Sequence, residues 1–367
     1  MDPLKPTFHI VIGHFLNDPS GDRVIGGVET YVANLIRVLR GAGYPTAVYQ
    51  FADAPFTARW EGTEVHALAD GRRSAKTLVN AAARAGNPER DVLLFATDFL
   101  LTKHRFLRAV AVQHGVAWDL PGSGSEAENY LRMISNVPRT LRKYRRFRYC
   151  SDLVCVDYNF LNWYRTQVAC FPQRLHVIPN FARPAAPAPM AERGLSVLFA
   201  RRFVSYRGTR LFATVLDALL RDYGALRVTL AGEGPDEAWL RAHFSNEPRV
   251  HITRYAPEES GAIHRAHAIA VIPTTGSEGT SLSLLEAMAA GCAPVATNVG
   301  GMTNILLDGY NGLMVPPQEA ALERALRTLL DDAALREKLA AKAQETVSEA
   351  FSFQRWQQKW LELIESL

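Results

Sequence analysis

The run Ile269-Ala270-Val271-Ile272-Pro273-Thr274-Thr275-Gly276-Ser277-Glu278-Gly279-Thr280-Ser281-Leu282-Ser283-Leu284-Leu285-Glu286 decides how this chain is read. Its apolar, β-branched opening, Ile269 to Pro273, reads as a buried strand; Thr274 to Gly279 reads as a turn, and Ser281 to Ala290 as a helix ending at Gly291. A strand feeding a helix through a short polar turn is the repeating unit of a parallel α/β sheet. The unit fixes two carboxylates, Glu278 at the helix mouth and Glu286 inside the helix.

A helix mouth offers unpaired backbone N–H groups and a partial positive charge, so Gly279, Thr280, Ser281 and Leu282 are candidates to hold a phosphate. Glu286 lies eight residues beyond Glu278 and five beyond Ser281, where the helix opens, so it stands roughly 8 Å along the axis from that opening at about 1.5 Å per residue. That is near the separation between a nucleotide's phosphates and its ribose hydroxyls, which a carboxylate accepts in a two-pronged hydrogen bond. Glu278 is left facing whatever hangs on the far side of the phosphates. The arrangement fits a sugar nucleotide.

Outward from this unit the same alternation recurs. Strand-like runs at Phe8 to Ile12, Thr46 to Phe51, Val92 to Ala96 and Ala109 to Gln113 alternate with helical stretches such as Glu29 to Arg40. The pattern repeats at Val197 to Ala200, Arg227 to Ala231 and Ile269 to Pro273. The expected fold class is α/β, with two doubly wound Rossmann-like domains facing a cleft. The expected limits are 1–183 for the first domain, 184–193 for a linker rich in alanine and proline, and 194–350 for the second domain. A last helix over 351–367 carries Phe353, Trp356 and Trp360 on one face.

At this point the chain resembles the GT-B-fold retaining glycosyltransferases of the group often called family 4, whose hallmark is the Glu-x7-Glu element seen at Glu278 and Glu286. Further matching stretches are Gly26-Gly27-Val28-Glu29, His114-Gly115, Val177-Ile178-Pro179-Asn180, Gly232-Glu233-Gly234-Pro235 and Asp308-Gly309-Tyr310-Asn311-Gly312. Their order and spacing extend the resemblance over nearly the whole chain. It implies that the first domain binds the acceptor, that the second binds the nucleotide sugar, and that the last helix returns to the first domain.

Breaking the bond between an anomeric carbon and a diphosphate builds negative charge on the leaving group, which a fixed positive group must stabilise. The chain contains no Asp-x-Asp pair, so no metal or other cofactor is expected. The cations expected at the phosphates are Arg202 and Arg207, in Arg201-Arg202-Phe203-Val204-Ser205-Tyr206-Arg207-Gly208. The family carries Gly-Arg and then Lys-Gly there, so Arg207 stands for a lysine and Arg201 for a glycine. His114, after the strand Ala109 to Gln113, is expected to contact the donor sugar and stabilise the transition state. Gly26 and Gly27 permit close backbone approach to a ligand, and Glu278 is expected to contact the sugar hydroxyls or to support the positively charged transition state. The resemblance places the base at Ile252 to Tyr255, which makes Arg254 and Tyr255 donor-binding candidates.

Bulk properties exclude several classes. At 367 residues, 48% hydrophobic and 21% charged, the composition is that of a globular protein. No apolar stretch is long enough to span a bilayer, and Met1 to Pro6 lacks a signal-peptide core. The four cysteines show no metal-type pairing. A cytoplasmic location is expected. Residues 1–190 carry 23 Lys and Arg against 16 Asp and Glu, and residues 191–367 carry 18 against 21. Much of the excess is in Arg139, Arg142, Lys143, Arg145, Arg146 and Arg148, a segment suited to an anionic inner-leaflet surface or an acidic acceptor. No nucleic-acid reader module accompanies it.

The leading expectation is therefore a retaining glycosyltransferase. Its donor is a UDP-, GDP- or other nucleotide diphosphate-sugar, and its acceptor a saccharide, lipid-linked in the bacterial surface-polysaccharide setting the resemblance implies. The alternatives are a sugar-nucleotide epimerase or hydrolase on the same scaffold and a non-catalytic nucleotide-binding protein.

Overall fold

The computed structural model describes residues 5–24, 26–115, 134–135, 138, 144–168, 174–184, 189–256, 259–276 and 278–367. These fall into two compact units. One contains the described residues through His114, those between 134 and Ile178, and Gln357–Leu367; the other contains Gly115 and Pro179–Trp356.

The first unit is built on an eight-stranded sheet. Its strands are β1 (Phe8–Val11), β2 (Thr46–Ala52), β3 (Phe56–Trp60), β4 (Thr63–Ala69), β5 (Val92–Phe95), β6 (Arg108–Gln113), β7 (Asp152–Cys155) and β8 (Arg174–Val177). The order is β3-β4-β2-β1-β5-β6-β7-β8, all parallel except the β3/β4 hairpin at one edge. The central strands β1 and β5 are buried along their whole length, so they are apolar on both faces rather than alternating, with His9 in β1 the one exception. The helix Gly27–Gly41 covers the sheet with Tyr31, Val32, Leu35, Ile36 and Leu39 buried.

The second unit holds a six-stranded, wholly parallel sheet in the order β11-β10-β9-β12-β13-β14. Its strands are β9 (Ser196–Ala200), β10 (Arg227–Ala231), β11 (Val250–Thr253), β12 (Ile269–Ile272), β13 (Ala293–Thr297) and β14 (Leu313–Val315). Phe199, Phe203, Phe212, Leu216 and Leu326 pack on one face, and Ile272, Leu285, Met288 and Met302 on the other. The chain therefore has the α/β architecture with two Rossmann-like parallel sheets that its sequence implied.

The helix Phe353–Glu365 divides its contacts. Its first turn belongs to the second unit, where Phe353 and Trp356 pack on Phe181. The remainder belongs to the first, where buried Trp360 donates its indole N–H to the Tyr31 hydroxyl at 3.0 Å. Cys150, Cys155 and Cys292 are buried free thiols; Cys170 lies outside the described residues. Among the described residues no helix is long and apolar enough to cross a membrane.

Candidate active site

Doubly wound sheets bind ligands beyond the carboxyl ends of their strands, where the strand order reverses. In the second unit that point lies between β9 and β12, since the chain runs from β9 outward to β10 and β11 and then returns to β12. Arg201 and Arg202 follow β9 directly, and Glu278 follows β12 after a short turn.

Glu278 is buried and receives hydrogen bonds on one carboxylate oxygen from both Arg201 and Arg207. Thr274 completes the cluster, accepting from Arg201 and donating to Glu278 at 3.0 Å. Burial alone would push the Glu278 carboxyl up, but the two guanidinium groups outweigh it and hold the group below the usual carboxylate range. The cluster needs close backbone approach. Gly208, with φ 82°, follows Arg207 and sits against Pro273; a Cβ there would lie 1.9 Å from the Pro273 carbonyl oxygen. Gly300, with φ 57°, lets Gly301 donate its N–H to the Glu278 carbonyl at 2.9 Å.

Arg202 differs from its neighbour. It is exposed and has no hydrogen bond or ion pair from its side chain among the described residues, so its guanidinium is available to an anion. Arg207 is half-buried and engaged with Glu278. Arg201 was not foreseen as a site residue, and the only sequence signal was a second arginine directly after the strand. It is the more buried partner of Glu278.

The helix read as Ser281 to Ala290 runs Leu282–Ala289, with Ser281 as its N-cap and the Ser281 hydroxyl accepting from the Leu284 N–H at 3.4 Å. The cap leaves the Ser281 O–H proton free to donate. The Thr280 carbonyl accepts from the Asn180 side chain at 2.6 Å, which ties the loop to the segment before β9. Glu286 is half-buried on this helix, and loss of hydration pushes its carboxyl up to about 7 although the Ser260 hydroxyl favours the charged form. Tyr255 lies near it, packed against Leu198, Ala200 and Ala231. Arg254 is exposed and ion-paired with Glu237 at 2.8 Å and Glu233 at 3.5 Å, so surface carboxylates already balance its charge.

The other candidates lie in the first unit. Gly26 caps the helix Gly27–Gly41, and the Glu29 carboxylate occupies the space a Cβ on Gly26 would need, 2.2 Å away. His114 stands at the end of β6, edge-on to Tyr31 at 5.1 Å. Its Nε2 is 2.8 Å from the Ala96 carbonyl. A carbonyl only accepts, so Nε2 carries the proton and Nδ1 is left as an acceptor. Burial lowers the imidazole to about 4, against the opposing pull of that hydrogen bond, so the ring is neutral at pH 7. Of the basic segment, Arg145, Arg146 and Arg148 are exposed; Arg139, Arg142 and Lys143 lie outside the described residues.

These observations decide where the chain stands among known proteins. Residues 194–332 match the family of glycosyl transferases, group 1. The matched span runs from just before β9 to the start of the last helix pair and includes Arg201, Arg202, Arg207, Glu278 and Glu286. Glycogen synthase of Mycobacterium tuberculosis is 30% identical over 164 residues, 43% of this chain. That match spans only 39% of the glycogen synthase. The lipopolysaccharide core biosynthesis glycosyltransferase LpsD of Rhizobium meliloti is 26% identical over 93% of this chain and 95% of its own. Among solved structures, sucrose-phosphate synthase from Thermosynechococcus elongatus superposes over 99% of both chains with TM-score 0.76 at 18% identity. Anabaena Alr3699/HepE in complex with UDP superposes over 99% of this chain and 100% of its own with TM-score 0.70 at 18% identity. The fold is thus that of the GT-B glycosyltransferases.

Proposed function

We propose that this protein is a metal-independent retaining glycosyltransferase that moves a sugar from a nucleotide diphosphate-sugar to a saccharide acceptor. The observation that carries the reading is the charge arrangement at the switch point of the second sheet. Arg202 is exposed and has no side-chain partner among the described residues, next to the Arg201–Glu278–Arg207 cluster. On the neighbouring strand β12, the same connection ends in the N-terminus of the helix Leu282–Ala289. Cationic side chains and amide dipoles would then stabilise the departing diphosphate. Arg202 binds it directly, and Arg207 exchanges its carboxylate partner for phosphate oxygen as the donor enters.

Glu286 accepts the ribose hydroxyls and Tyr255 lies under the base. Released from Arg207, Glu278 keeps Arg201 and turns its second oxygen to the sugar hydroxyls. Neutral His114 accepts a hydrogen bond from a donor-sugar hydroxyl at Nδ1. The acceptor oxygen bonds to the anomeric carbon on the face from which the diphosphate leaves; the carbon–oxygen bond to phosphate breaks, and the departing diphosphate takes the acceptor's proton. Configuration is retained. The similarity to LpsD over most of both chains favours a lipid-linked saccharide acceptor in surface-polysaccharide synthesis. The exposed Arg145, Arg146 and Arg148 would then meet anionic lipid at the inner face of the membrane.

The test is a donor panel of UDP- and GDP-sugars with saccharide acceptors, in EDTA. Nucleoside diphosphate should appear only in step with a glycoside whose anomeric configuration matches the donor. Donor consumed without acceptor, inverted product, or activity abolished by EDTA and restored by metal would each overturn the reading. Arg202→Ala should lower kcat/KM by about 10²- to 10³-fold while leaving stability within about 0.5 kcal/mol.

A further inference from the structure

The eight-stranded sheet carries a second polar cluster at its other edge, where the strands begin. Gly26, Gly27 and His114 stand at the carboxyl ends of β1 and β6, whereas His9, Thr46, Ala47 and Glu64 stand at the amino ends of β1, β2 and β4, with Asp91 just before β5. A cavity of about 480 Å³ opens there.

Asp91 forms its back wall. It is 1% exposed and takes hydrogen bonds from the Thr7 N–H at 3.1 Å, the Asn87 N–H at 2.7 Å, Arg90 Nε at 3.0 Å and His9 at 3.3 Å. Against an ionised carboxylate, His9 Nε2 is the donor, so His9 Nδ1 accepts from the Tyr49 hydroxyl at 3.1 Å. The Tyr49 proton is thus committed to His9, which leaves the hydroxyl oxygen of this cavity-lining residue as an acceptor. His66 stacks on Tyr49 with ring centroids 5.0 Å apart and planes 21° from parallel. Glu64, half of its side chain exposed, stands beside His66. Asn87 and the solvent-facing part of Arg90 close the other side.

A buried ionised carboxylate, a neutral histidine and a phenol in series are an expensive way to build a strand edge, because each group must be desolvated. Together they hold Tyr49 in one orientation at the floor of a cavity whose volume suits a small ligand. The charges on the wall select among ligands. Arg90 and Asp91 are ion-paired and offset each other, so the net charge on the wall is that of Glu64, which repels an anion. The acceptor oxygens of Tyr49 and Glu64 and the ring of His66 fit a neutral molecule with several hydroxyls and one apolar face, which donates to those oxygens and lies on that ring.

We propose that this cavity is a second ligand site, at the opposite edge of the first sheet from His114, which binds a neutral saccharide of one or two rings. The proposal does not rest on the transfer reaction. A protein without glycosyltransferase activity would bind the same ligand here.

The probes are glucose and maltose, with glucose 6-phosphate as the charged control, titrated by calorimetry and by saturation-transfer NMR on the full chain. Maltose should bind in the millimolar range, equally with and without saturating UDP. His66→Ala should weaken maltose by about tenfold through loss of the stacking face, and Glu64→Gln by about fivefold. Both side chains reach solvent, and both variants should melt like the parent. Crystals soaked in maltose should place a ring on His66. No saccharide binding, binding unchanged in both variants, tighter binding of glucose 6-phosphate than of maltose, or competition with UDP would overturn the proposal.

Discussion

Each sheet has a buried carboxylate held by several donors, and the two stand at opposite strand ends. Asp91 is buried where the strands of the first begin, and Glu278 beyond the point where those of the second finish. Both carboxylates are ionised below their usual range, but by different means. Two of the four donors to Asp91 are backbone N–H groups, which cannot leave without unfolding the chain there. Among the described residues, every donor to the Glu278 carboxylate is a side chain: Arg201, Arg207 and Thr274. The first arrangement is a fixed wall. The second is one whose cations can be redirected to an entering anion, which is what a phosphate-binding site requires.

The largest expected effect separates the two arginines on Glu278. Arg201→Ala leaves a buried carboxylate with the half-buried Arg207 as its one remaining cation among the described residues, and should destabilise the fold by about 3–5 kcal/mol; Arg207→Ala should cost about 1 kcal/mol. Chemical denaturation of both variants checks this. Equal losses would mean that the two arginines are equivalent and that neither is held in reserve.

Glu286 extends the contrast, since burial raises it from 4.5 to about 7 and no cation is among the causes of its shift. The folded state then keeps a proton that the unfolded state releases. Its contribution to stability is fully present below pH 4.5 and is lost as pH rises through 7. The loss should be about 2–3 kcal/mol, reduced by partial exposure, and absent in Glu286→Gln. Denaturation midpoints across pH 4–8 read it directly.

Asp91 has the opposite sign. Burial opposes ionisation, but its hydrogen-bond donors lower it from 3.8 to about 2. Its contribution is present above 3.8 and is lost as pH falls through 2. The parent should lose about 2 kcal/mol relative to Asp91→Asn over that window. The smallest effect is spectroscopic. With its imidazole near 4, the His114 ring protons should not titrate between pH 5.5 and 8 in NMR, which would break the neutral-acceptor role if they did.

How far the sequence reached can be read element by element. The strand Ile269–Ile272 and the helix Leu282–Ala289 lie within a residue of where an apolar run, a polar turn and a glycine stop put them. The strand at Arg227–Ala231 lies where its apolar run put it. The sequence reading did not foresee the β3/β4 hairpin, because its short half-buried strands turn about Glu61-Gly62 at a sheet edge and carry little apolar signal. The exposure of Arg202 beside the burial of Arg201 was equally hidden, since adjacent arginines after a strand look alike until the neighbouring strand supplies a carboxylate.

By itself, then, the chain determined its local elements and its α/β class, because periodicity, caps and turn residues act over a few positions. Only the tertiary structure decided which charges meet. Glu278 is 77 residues from Arg201, and Asp91 is 82 from His9. No local pattern encodes such pairs; strand order brings them together, and removing both from water makes each pairing compulsory.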